Sequence, residues 1–134
     1  MKKIFLILIC FLGLYACSDD VEDQMDGFWQ LKTIEKDGEI SQVDTVFYGF
    51  QRKALFSYTI TSPTDPNETI LSYGYIQYPT ENEILITMDP RSVFYDFSTL
   101  TGWESTEEKF TIESVNSKNL ILKNGNKTYF FKRF

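Results

Sequence analysis

Apolar and polar residues alternate along most of the chain beyond residue 27. A period of two sends successive side chains to opposite faces, so one face of each run meets a core and the other meets water, as in half-buried β-strands. Runs rich in Phe, Tyr, Ile, Val and Thr cover 28–36, 40–50, 55–61, 69–78, 83–88, 110–115, 119–123 and 127–134. Turn signals separate them: Asp37-Gly38, Ser62-Pro63-Thr64-Asp65-Pro66-Asn67, Pro79, Asp89-Pro90 and Asn124-Gly125. Eight such runs leave no room for crossover helices, so the pattern predicts an all-β, antiparallel meander.

The last two runs specify a hairpin. Asn-Gly favours a two-residue turn with positive φ at both positions. Closing at Asn124-Gly125 sets Lys123 opposite Asn126, Leu122 opposite Lys127 and Leu120 opposite Tyr129, with Leu120, Leu122, Tyr129, Phe131 and Arg133 on the inward face. Between Asp89 and Gly102 the period changes: Val93, Phe94, Phe97 and Leu100 recur at helical spacing. With Asp89 as a cap, Pro90 in the first turn and Gly102 as a stop, this stretch predicts one short helix near 90–100.

The first residues are of another kind. Met1-Lys2-Lys3 is basic, and Ile4 to Leu14 is an apolar run too short to span a bilayer, which needs about 20 residues. Leu14-Tyr15-Ala16-Cys17 follows and resembles the lipobox of bacterial lipoproteins, with Tyr15 as a departure from the usual pattern. The resemblance implies a signal peptide over 1–16 and a multiply acylated Cys17 that anchors the protein to a membrane. A plain secretory leader with an incidental cysteine is the alternative. Ser18-Asp19-Asp20 resembles the acidic signal that sends some Gram-negative lipoproteins to the outer face of the outer membrane; a solvated spacer reads the same residues more simply. Residues 17–26 then form a lipidated, disordered tether spanning about 15–20 Å, and 27–134 the folded domain.

Charge and composition narrow the function. Loss of Lys2 and Lys3 with the leader takes the formal charge from −6 to −8, and five acidic side chains of that total lie in the tether. No basic stripe exists, so nucleic-acid binding lacks its electrostatic footprint. Neither cysteine is left for a disulfide framework once Cys10 departs and Cys17 is acylated. The chain has no histidine, hence no imidazole base or metal ligand. Glu107-Glu108 point to opposite faces of a strand, so they cannot both enter one site, and Glu81 and Glu83 could share a face but flank a turn and read as solvated strand ends. We expect no enzyme and no cofactor. Asn67-Glu68-Thr69, Asn126-Lys127-Thr128 and Asp44-Thr45-Val46 match short glycosylation patterns of little weight.

Gly27-Phe28-Trp29 opens the first strand and Arg133 lies on the last. A Gly-x-Trp at the start of a meander, with an Arg on the final strand, resembles the lipocalins and their relatives. The resemblance covers the two ends of the domain and the strand count, and implies a small eight-stranded lipocalin-like barrel closed at one end by Trp29 with Arg133 across its ring. Phe47, Phe56, Tyr58, Tyr73, Tyr75, Phe94, Phe97 and Trp103 are then the candidate lining of a pocket at the opposite mouth, gated by 90–103. This gives a surface-anchored lipoprotein that binds a small apolar or amphipathic ligand. A barrel packed solid, acting as a structural or protein-interaction module, is the second reading, since eight strands enclose little more than their own side chains.

Overall fold

The computed structural model describes residues 20–134 apart from 63, 66 and 94–96. The leader, Cys17 and Phe94 lie outside the described residues. A short helix α1, Val21–Met25, precedes strands β1 (Gly27–Lys36), β2 (Glu39–Gln51), β3 (Leu55–Thr61), β4 (Thr69–Thr80) and β5 (Glu83–Met88). A second short helix α2, Phe97–Thr101, leads to β6 (Glu107–Val115), β7 (Asn119–Asn124) and β8 (Lys127–Arg133). The strands pair antiparallel in chain order, and β1 also pairs with β8, closing the barrel.

Period-two burial explains the closure. Trp29, Leu31, Tyr48, Phe50, Phe56, Tyr58, Ile84, Ile86, Phe110, Leu120, Leu122, Tyr129 and Phe131 all point inward and are almost completely shielded from water. Each burial of a side chain of this size contributes about 1.5–3 kcal/mol, and closure leaves no strand edge for another chain to pair with. The first hairpin turns at Asp37-Gly38, where both residues have positive φ, as a type I′ turn requires.

Three expectations are corrected. In the last hairpin Asn124 faces Lys127, Leu122 faces Tyr129 and Leu120 faces Phe131, so the turn centre is Gly125-Asn126. Only Gly125 of that pair has positive φ, at 57°. A glycine at the first central position suits a type II′ turn, which competes with the type I′ turn that Asn-Gly suggests. The slip preserves parity, so the inward set is unchanged. The short helix expected near 90–100 is present, with Phe97–Thr101 as its described residues, but its start is not capped by Asp89. Asp89 instead closes a turn, accepting from the Ser92 and Arg91 backbone N–H groups, and Leu100 is exposed. Lastly, the expected disordered tether contains α1: Val21 and Met25, one helical turn apart, pack on the core, and Met25 is fully buried.

Candidate functional site

One end of the barrel forms a floor around Trp29. Its indole Nε1 donates to the Met25 carbonyl at 2.9 Å, and Arg133 lies over the ring with Cζ 4.2 Å from the centroid. The guanidinium also donates to the carbonyls of Asp26, Gln24 and Ser117, each at 2.9 Å. Two of these belong to the C-terminal end of α1, where helix carbonyls lack intrahelical partners and a cation is favoured. Gly27 makes the approach possible. Its φ is +127°, and a Cβ there would stand 2.6 Å from Arg133 Nη1. Thus Gly27, Trp29 and Arg133 clamp α1 across the floor. Asp26 accepts from the Arg52 backbone N–H, and Lys53 pairs with Asp23 at 3.1 Å, tying α1 to the β2–β3 turn.

Trp103 enters from the opposite end, on the connection that follows α2. Its ring packs against Tyr48, Phe56, Tyr58, Phe97 and Phe110, with centroids 5.5–6.2 Å apart. Four of these pairs are edge-to-face and the one with Phe56 is stacked, and aromatic pairs of either kind contribute about 0.5–1.5 kcal/mol each beyond burial. The buried indole N–H donates to the Tyr48 hydroxyl at 3.1 Å. Among the described residues no buried side-chain polar atom lacks a hydrogen-bond partner. The lumen is therefore occupied by the chain's own aromatic rings. Burial raises the Tyr48 phenol well above its ordinary range, reinforced by Tyr58 and Tyr129. Burial likewise raises Tyr58 and Tyr78, and pushes Tyr129 up to about 12 with help from Glu108.

This packing corrects the expected pocket. Phe56, Tyr58, Phe97 and Trp103 come together inside, as buried core with their rings in mutual contact. Phe47 lies on the outer face, edge-on to Phe134 at 5.0 Å. Tyr73 and Tyr75 also face outward, at 55% and 52% exposure. The reason lies in the first half of β4, where inward positions 72 and 74 are small, before inward Ile76 joins the core. Ser72 donates to the Ser92 carbonyl at 3.0 Å, and a Cβ at Gly74 would meet the Thr87 carbonyl oxygen at 2.6 Å. With the small set inside, the tyrosines fall outside. There they border a groove of about 470 Å³ with Phe28, Leu55, Ser57, Thr59 and Leu71. Sequence reasoning missed this groove because alternation separates two faces without saying which is interior.

The carboxylates do not converge on one site. Glu108 accepts from the Glu104 backbone N–H and the Asn124 amide, whereas Glu107 accepts from Thr87. Glu83 pairs with Lys109 at 2.6 Å and accepts from Thr80, and these bonds hold its carboxyl below the usual range.

The lipocalin-like domain family model matches residues 10–134. Among solved structures, a lipocalin-like protein from Bacteroides uniformis is similar at 27% identity with a TM-score of 0.74, covering 83% of this chain and 99% of its own. An uncharacterized protein from Bacteroides eggerthii is similar at 26% identity with a TM-score of 0.72, covering 82% and 99%. No curated protein matches.

Three outcomes follow from this geometry. Arg133→Ala should lower stability by about 2 kcal/mol in a urea melt, combining the ring contact with charged hydrogen bonds, and Arg133→Lys should recover less than half because it lacks the planar fork. Trp103→Ala should cost about 3–5 kcal/mol, and indole should raise the melting temperature of that variant but not of the wild type. Raised tyrosine pKa values stabilise the fold fully below pH about 10, the unfolded value, and that contribution is lost as pH rises through the folded values. For Tyr129 the window is about pH 10–12. Near-ultraviolet titration should show Tyr48, Tyr58, Tyr78 and Tyr129 ionising only as the circular dichroism of the fold is lost.

Proposed function

We propose, from the premise that this chain belongs to the lipocalin-like domain family, that it is a lipid-anchored outer-membrane lipoprotein displayed at the cell surface, whose filled barrel serves as a binding scaffold through its exterior. The observation that carries this reading is the position of Trp103. An apolar ligand in the lumen would have to displace that ring and Phe97, with the contacts both make. Recognition of a small amphipathic molecule or of a protein partner is therefore assigned to the outer face and to the loops at the Trp103 end. No catalysis is assigned, because beyond the leader the chain offers no histidine and no cysteine other than Cys17.

The floor supports the anchoring half of the proposal. An acyl anchor on Cys17 would sit four residues before Val21, the first residue of α1. Four residues reach about 14 Å at full extension, shorter than the tether the sequence suggests. The Trp29 end would then rest close to the headgroups, and the turns at Asp37-Gly38 and Gly125-Asn126, with Trp103, would lie away from the membrane. Several acyl chains hold firmly, since each buried CH₂ contributes about 0.8 kcal/mol.

The test is made in the native host. Wild-type protein should incorporate radiolabelled palmitate, sediment with envelopes and be cleaved by protease added to intact cells, whereas Cys17→Ser should be unlabelled and soluble. A Cys17→Ser protein that still sediments, or a wild type that takes no label, would contradict the anchor. Titration with palmitate should leave tryptophan emission unchanged; a saturable change would return the ligand to the lumen.

A further inference from the structure

The outer groove lies on a cross-strand row that the register defines: Phe28 opposite Gly49, Gly49 opposite Ser57, and Ser57 opposite Tyr73. The two middle residues are small and the outer two are aromatic. Phe28 leans over Gly49, where an added Cβ would come within 2.9 Å of its ring. Neighbouring strands are about 4.8 Å apart, so Gly49 and Tyr73 are separated by about 10 Å, leaving a slot over Ser57 one six-membered ring wide. Leu71 and Tyr75 lengthen the Tyr73 wall, and Leu55 and Gln51 border the slot near the floor end.

The chemistry of the lining selects an occupant. No charged residue lines the groove, although the chain as a whole is at −6. Arg91, outside the lining, pairs with Asp89 at 2.8 Å and also interacts with Tyr75, so this cation at the rim is already partnered. An ionic ligand in the groove would find no unmet counter-charge among the lining residues. Gln51, Ser57 and Thr59 bring polar side chains that make no hydrogen bond to other described residues, and Ser57 and Thr59 are partly buried. An acyl chain laid over them would strip their water and return nothing, which costs free energy for every group left unmet. An uncharged pyranose satisfies both demands. Its C–H face packs flat on an aromatic ring while its hydroxyls reach neutral donors and acceptors at the edge.

We propose that this groove is a binding site for an uncharged saccharide, with one sugar ring standing over Ser57 between Phe28 and Tyr73 and its hydroxyls on Gln51, Ser57 and Thr59. The site is formed by outward side chains, so it requires neither an open lumen nor the lipid anchor.

The test is an NMR titration of the full chain in a sugar-free zwitterionic detergent with cellotriose, maltotriose and mannotriose in turn. At least one should shift amides of Ser57, Tyr73 and Tyr75 saturably. Tyr73→Ala should weaken that binding about tenfold, the value of one lost aromatic face. Ser57→Leu, which fills the slot, should abolish it. Both sites face outward, and unchanged melting temperatures would show that the fold is kept. No saturable shift with any of the three sugars overturns the proposal, as does binding that survives both substitutions. Palmitate shifting the same amides while the sugars do not would assign an acyl ligand. Concentration-dependent dimerisation lost in Tyr73→Ala would assign a second copy of the chain. Either result also overturns it.

Discussion

The space inside an eight-stranded barrel is the constraint from which the rest follows. Such a barrel is just wide enough to be filled by side chains or to hold one small ligand. Here the choice is made by one residue. Trp103, carried in on the β5–β6 connection, places its indole among five aromatic rings and its N–H on the Tyr48 hydroxyl. On β4, inward Ser72 is held by the Ser92 carbonyl and inward Gly74 by the β5 backbone, and Tyr73 and Tyr75 face outward. A filled lumen and a partly aromatic exterior therefore occur side by side.

The two ends of the barrel are closed by different physics. At the Trp103 end the closure is apolar and shape-dependent. At the floor it is electrostatic and directional: a guanidinium stacks on Trp29 and accepts the orphan carbonyls of α1 as partners for its N–H groups. The floor joins the first and last strands of the sequence, so it also fixes the β1–β8 seam that closes the barrel. Its position bears on the proposed function, because α1, the first described element, is held on it. A floor held by the terminal strands and a short link to a membrane would present the opposite loops outward in a fixed orientation.

Much of this was legible in the sequence. Period-two alternation located the strands and divided each into two faces, and the lack of crossover segments gave the meander. Gly27, Trp29 and Arg133 pointed to the family because each occupies a place where geometry leaves little choice. Other features were obscured by competing signals. The acidic composition of 18–26 masked Val21 and Met25, whose four-residue spacing marks the buried side of α1. At Asn124-Gly125 two turn types compete for one glycine, and tertiary pairing selected the shifted one. On β4 the aromatic set looked like core because aromatics usually are; only the crowding at Ser72 and Gly74 reverses the assignment, and it depends on segments distant in sequence.

Occupancy of the lumen is tested most directly by xenon, an apolar atom that enters voids without demanding polar partners. Under xenon pressure, NMR spectra of the wild-type protein should show no saturable perturbation at Phe56, Tyr58, Trp103 or Phe110. A saturable site among those four residues would mean that the barrel retains a ligand cavity, and would contradict the filled-scaffold account.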